Sequence, residues 1–151
     1  MLRDTDLAIF DYRPVREGRM DTTRHIVTAG GTSELAHYLV PIGKEEGSSD
    51  FQHSTPSYSP GVISTFTRIF ERLGEVTSEI NDIAGDYDPW EYDRPPFMSI
   101  RFWWDGDRIE SSHQCEAFYN DCNIPAAVAS EHQSLLLEAW RLTPIGDPTK
   151  R

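Results

Sequence analysis

Cysteine is nearly absent, with only Cys115 and Cys122 in 151 residues. Two thiols are too few for a disulfide framework, which excludes the small secreted scaffolds held together by bridges. Lysine is as scarce, with Lys44 and Lys150 alone, so arginine carries the positive charge. No apolar run approaches the roughly 20 residues needed to cross a bilayer. The stretch Met1-Leu2-Arg3-Asp4-Thr5-Asp6 has no basic segment leading into an apolar one. No secretory leader is therefore read, and a cytoplasmic location is expected. Phosphate-cradling glycine motifs, the nucleophile-elbow motif and histidine–cysteine metal spacings are also missing. The sequence thus designates no catalytic residue, no metal site and no cofactor.

What is present is acid and enough apolar residue to fold. Asp and Glu number 25 against 14 Lys and Arg, a formal charge of −11. That sign disfavours direct binding to nucleic acid or anionic lipid and favours a basic partner. Hydrophobic residues make up 38% and aromatics 11%, which suits a single globular domain over 1–151 rather than a disordered chain.

Local patterns predict an α+β fold, a small and mainly antiparallel sheet with helices packed on one face. Leu7–Tyr12 reads as a strand closed by Arg13-Pro14. Arg13, Arg16, Arg19 and Arg24 alternate with Asp11, Glu17 and Asp21 and read as a solvated connection. His25–Thr28 reads as a second short strand. After Gly30-Gly31, Thr32 is placed to cap a short helix that Pro41 stops. Residues 43–58, rich in Gly, Ser, His and acids, read as a flexible loop.

Ser59-Pro60 is an N-cap followed by proline at the first helical position. Val62, Ile63, Phe66, Ile69, Phe70, Leu73, Val76 and Ile80 then recur at helical spacing, so a helix is expected to about Ile83. Gly74 lies inside it. Phe97–Trp104 and the residues after Asp105-Gly106 predict a hairpin with a two-residue turn. Its register sets Trp104 against Asp107, Trp103 against Arg108, Phe102 against Ile109 and Arg101 against Glu110. Met98, Ile100, Phe102 and Ile109 then share the core face, with a cation–π contact and an Arg101–Glu110 ion pair on the other. Ser111 and Gln114 have capping-box spacing. Cys115, Phe118, Tyr119 and Cys122 form a helical stripe, which makes the thiols structural rather than reactive. A last helix is expected from Pro125 to about Leu142, with Val128, Leu135, Leu136, Ala139 and Leu142 buried and His132 at the surface or the helix edge.

The candidate functional residues are acidic. Glu71, Glu75 and Glu79 stand one helical turn apart, a spacing at which like charges repel. Glu75 and Glu79 also approach the negative end of the helix. The stripe continues through Asp82, Asp86, Asp88, Glu91 and Asp93, with Tyr87, Trp90 and Tyr92 interleaved. Carboxylates that steer and aromatics that anchor suit a basic protein partner. The expected function is therefore an inhibitor of the immunity-protein type, which occludes a basic site on a toxin or on a nucleic-acid-binding protein. The same acids lack EF-hand spacing, so no calcium loop is read. The alternative is a small enzyme whose site lies where the 43–58 segment, with His53, meets the sheet.

Overall fold

The computed structural model of the chain describes residues 2–13, 15–16, 19–41, 48–55, 57–85, 98–114 and 116–147. Among the described residues, seven strands form one antiparallel sheet: β1 (Asp6–Tyr12), β2 (Val15–Arg16), β3 (Arg19–Thr28), β4 (Ser33–Pro41), β5 (Ser48–Thr55), β6 (Met98–Trp104) and β7 (Asp107–Ser112). Their order is β5-β4-β3-β1-β6-β7, with β2 paired to β3. Helices α1 (Pro60–Ala84), α2 (Glu116–Asp121) and α3 (Ala126–Arg141) complete the fold. This is the α+β architecture expected from the sequence. The long helix α1 lies between β5 and β6 in the chain, and β6 pairs with β1 rather than with β5.

Strand alternation decides which residues meet the helices. Ala8 and Phe10 of β1, Val27 of β3, and Met98, Ile100 and Phe102 of β6 are buried in one apolar cluster. Phe66, Ile69, Phe70 and Leu73 of α1 enter it from the helical side, with Leu136, Ala139 and Trp140 of α3. Phe10 sits at its centre, edge-on to Trp140 at a centroid distance of 5.2 Å. A smaller cluster joins Val76 and Ile80 of α1 to Phe118, Tyr119 and Ile124.

The helix expected over 59–83 is present as α1, and its boundaries have local causes. The Ser59 hydroxyl accepts from the Val62 amide at 3.3 Å, and Pro60 opens the first turn. Gly85, with φ +71°, ends the helix and donates its amide to the Asn81 carbonyl at 2.8 Å. The predicted hairpin register holds at all four pairs from Arg101–Glu110 to Trp104–Asp107. Asp105 and Gly106 both adopt positive φ, as a type I′ turn requires. Arg108 lies 5.2 Å from the Trp103 ring centroid, the expected cation–π contact. The Arg101–Glu110 ion pair is not the one that forms, because the Arg101 guanidinium turns to Asp11 at 2.9 Å.

Four local expectations are corrected. The connection read over Arg13–Arg24 contains β2 and most of β3. The helix read after Thr32 is strand β4, laddered to β3 from Val27–Ser33 to Arg19–Pro41. A nine-residue helix with one cap is marginal by itself, whereas the Gly30-Gly31 turn delivers the segment directly to a strand edge. The Thr28 amide donates to the Thr32 carbonyl at 2.9 Å, and Gly31 takes φ +97°. The loop read over 43–58 contains strand β5, which pairs with β4. Ser111, read as a helix cap, belongs to β7, and α2 begins at Glu116.

Gly74 is explained by its neighbour. A Cβ built there would run into Cγ and Cδ1 of Trp104, at the base of the indole rather than its free end. Gly74→Ala gains about 1 kcal/mol of helix propensity but forces α1 or Trp104 to shift, at roughly 1–3 kcal/mol. A lower thermal midpoint is expected for Gly74→Ala. Its partial restoration is expected when Trp104→Leu is added. A midpoint equal to or above that of the parent would show that the helix and β6 separate freely.

Candidate functional site

The predicted acidic stripe begins on α1. Glu71, Glu75, Glu79 and Asp82 are all exposed. The structure brings a neighbour to them from α3. Arg72 donates to Glu75 at 2.8 Å and to both oxygens of Glu131, at 2.6 and 2.8 Å. Hydrogen bonding from Arg72 holds the Glu131 carboxyl below its ordinary value. Arg72 thus ties α3 to α1 and pairs with Glu75 inside the stripe, leaving Glu71, Glu79 and Asp82 outside these ion pairs. Asp86, Tyr87, Asp88, Trp90, Glu91, Tyr92 and Asp93 lie outside the described residues.

The helical layer is acidic beyond that stripe. Its three helices hold eight carboxylates against three guanidiniums, a formal −5. On the opposite face of the sheet, Arg13, Arg24 and Arg101 gather around one carboxylate. There Asp11, alternating with Phe10, is fully buried, and its carboxylate accepts from three arginines. Arg24 donates Nε to Oδ1 at 2.8 Å and Nη2 to Oδ2 at 3.1 Å. Arg13 reaches Oδ2 at 2.8 Å and Arg101 reaches it at 2.9 Å. Burial alone would raise the Asp11 carboxyl, but the Arg24 hydrogen bonds and the charges of Arg13, Arg24 and Arg101 outweigh it and hold it below its ordinary value. The register makes this cluster, because β1 sets Asp11 beside Arg24 of β3 on one side and Ser99 of β6 on the other.

Two histidine networks lie within the helix side of the fold. His25 is fully buried. Its Nδ1 meets the Glu34 carbonyl at 3.1 Å and its Nε2 meets the Tyr58 hydroxyl at 2.8 Å. A carbonyl can only accept, so Nδ1 carries the proton and Tyr58 donates to Nε2. Burial pushes His25 down to about 4 and Tyr58 up to about 12. A base that does not protonate near neutrality and a phenol that does not ionise there make a poor acid–base pair. The contact instead pins the start of α1 to β3, and Gly31 has room only for hydrogen, since a Cβ would lie 2.6 Å from the Tyr58 carbonyl.

The second network has the outline of a nucleophile and its base. Ser111 Oγ lies 2.7 Å from His132 Nε2, Tyr119 Oη lies 2.7 Å from Nδ1, and the Thr77 hydroxyl donates to Ser111 at 2.9 Å. All four side chains are buried, with Ser111 only 1% exposed. Burial, with the nearby His113, lowers His132 to about 4. A serine with no open face cannot meet a substrate, so the arrangement works as a cross-link. It joins α1, β7, α2 and α3 through one imidazole.

These placements correct the sequence reading of His132, expected at the surface or the helix edge and found in the core. Its spacing from Leu136 and Ala139 puts all three on one helical face, a signal present in the sequence. Ser111 was equally legible, because the hairpin register sets it against Ile100 on the core face. Asp11 and Arg24 carried no such signal, since their pairing depends on a β1–β3 register that no turn motif dictates. Cys122 is half-buried against the smaller cluster, and Cys115 lies outside the described residues.

No family model, curated protein or solved structure matches this chain. Its function is therefore argued from the site itself.

Proposed function

We propose that this protein is a binding protein that occludes a basic surface on a partner protein, as an inhibitor or immunity protein does, through the outer surface of its helical layer. The observation that carries the reading is the excess of acid on the helices, eight carboxylates against three guanidiniums. Carboxylates cluster on the helices, while Arg13, Arg24 and Arg101 gather around Asp11 on the far face of the sheet. A surface of one sign steers a partner of the other and speeds encounter. Glu71, Glu79 and Asp82 stand outside the Arg72 ion pairs and are exposed, so they can meet a cationic partner. A toxin or a nucleic-acid-binding protein offers such a surface, and a cytoplasmic location accords with either. Among the described residues no helix is long and apolar enough to cross a membrane.

The competing enzyme reading places a site where the 43–58 segment, with His53, meets the sheet, and His53 stands on β5 opposite Leu35 of β4. Tyr58 and His25 are the polar pair at its edge, and their proton affinities argue for a structural tie.

The test is capture of a partner by the full chain, followed by association kinetics at several salt concentrations. A basic protein released as ionic strength rises is expected. Glu71→Gln, Glu75→Gln and Glu79→Gln together should slow its association by about 10-fold or more at low salt. A captured partner that binds the triple variant as it binds the parent would exclude this surface.

A further inference from the structure

We propose that β7 is a self-pairing edge, to which a second copy of this chain adds its own β7 in antiparallel register centred on Ile109. β7 ends the sheet and, among the described strands, pairs with β6 alone. Edges are commonly blunted by proline, lysine or a bulge. Asp107–Ser112 has no proline and no lysine, and its register on β6 is unbroken. The charges it does carry are of both signs. The hairpin fixes which backbone groups are left over. A two-residue turn makes Trp104–Asp107 a hydrogen-bonded pair, so Asp107, Ile109 and Ser111 turn their amides and carbonyls toward β6. The His113 amide, in the same phase, donates to the Met98 carbonyl at 3.0 Å. Arg108 and Glu110 therefore point theirs away from the sheet, and both residues are exposed. Among the described residues no backbone group takes them up.

The side chains of the same two residues are also left over. Arg101 stands opposite Glu110 in the hairpin but is drawn to Asp11, so Glu110 has no base among the described residues. Arg108 lies over the Trp103 ring and meets no carboxylate among the described residues. One strand edge thus presents an unpaired cation and an unpaired anion two residues apart, on one face of the sheet.

Charge selects the occupant and its register. Outward-pointing backbone groups must meet outward-pointing ones, so a symmetric antiparallel pair is centred on Arg108, Ile109 or Glu110. The first sets Arg108 against the partner's Arg108 and the third sets Glu110 against the partner's Glu110, and like charges directly opposite are destabilising. Centring on Ile109 sets Arg108 of each copy against the partner's Glu110. Each of those residue pairs joins opposite charges and exchanges two backbone hydrogen bonds. Ile109, partly buried against the main apolar cluster, then meets the partner's Ile109 on the core side, where a non-hydrogen-bonded pair brings side chains closest. The pairing keeps both helical layers on one side of a continuous sheet. It needs no other protein, so its outcome is independent of the partner surface proposed on the helices.

The experiment is analytical ultracentrifugation of the full chain over a concentration series at about 0.15 M salt, where charges more than about 8 Å apart are screened. A reversible monomer–dimer equilibrium is expected. Hydrogen-exchange protection of the Arg108 and Glu110 amides should rise with concentration, while that of Ile109 stays as it is. Arg108→Glu and Glu110→Arg should each weaken the dimer by about 10-fold or more. The first raises the net negative charge and the second lowers it, so a shared loss cannot come from net charge. Mixing the two variants should restore a dimer, because every facing pair is then of opposite sign, and the double exchange in one chain should restore it as well. Both variants change exposed side chains, and circular dichroism checks that each is folded. A parent that stays monomeric up to about 1 mM overturns the proposal and leaves the edge to an extended segment of another protein. A dimer that both single variants leave unchanged, or variants that fail to associate when mixed, overturns it too.

Discussion

Asp11→Ala is expected to remove about 3–5 kcal/mol of stability, the range for stripping one partner from a buried ion pair. Domains of this size are held by roughly 5–15 kcal/mol, so the variant should be close to unfolding at room temperature. The cause is the three guanidiniums left behind rather than the lost attraction alone. Arg24 lies 7% exposed against a carboxylate that is fully buried. Removing that carboxylate leaves the desolvated Arg24 without its two-point acceptor. Asp11→Asn keeps the shape but turns an amide donor or a weaker acceptor toward the arginines, and should lose most of the same stability. Replacing the pair together, Asp11→Leu with Arg24→Met, should recover much of it, because an apolar pair of similar volume carries no desolvation cost. Urea unfolding followed by far-ultraviolet dichroism measures all three. An Asp11→Ala midpoint within about 1 kcal/mol of the parent would mean that water reaches the cluster freely.

The second large effect is acid unfolding driven by His25 and His132. Both are pushed from 6.5 to about 4 by burial. The folded value lies below the unfolded one, so the unfolded chain binds the proton first. Stability from this source is therefore whole above pH 6.5, falls as the pH drops toward 4, and changes no further below that. Each histidine removes on the order of 3 kcal/mol over the window. The thermal midpoint should decline steadily from pH 6.5 to 5. Unfolding at pH 5 should take up close to two protons through these residues. Imidazole resonances of His25 and His132 that titrate near pH 6.5 in the folded protein would contradict both burial and network.

The two histidines also separate what was readable from what was not. His25 lies in a short apolar run and His132 on a helical face shared with Leu136, and each position was open to periodicity. What periodicity could not supply was the partner. Tyr58 meets His25 across 33 residues of chain, and Ser111 meets His132 across 21. In each case the sheet and helix layers had to assemble first. Asp11 was similarly opaque. Alternation put it on the face away from Phe10, where a polar residue normally meets water, and only pairing with β3 and β6 encloses it with arginines.

By itself the sequence determined the elements whose signals are local and strong. The Ser59-Pro60 cap, the repeated apolar steps of α1 and the Asp105-Gly106 turn each act within a few residues, so they survive without knowledge of the fold. The same local logic identified the exposed acids of α1, because an exposed helical face is defined by spacing alone. Tertiary structure decided the remainder. It made strands of the Ser33–Pro41 and Ser48–Thr55 segments, since a free strand edge supplies hydrogen bonds that a short isolated helix cannot match. It turned Gly74 from a weak point into the space that Trp104 fills. It also joined three arginines to one aspartate, because a buried charge takes its partner from whichever strands lie alongside, and that choice is made by pairing, not by sequence spacing.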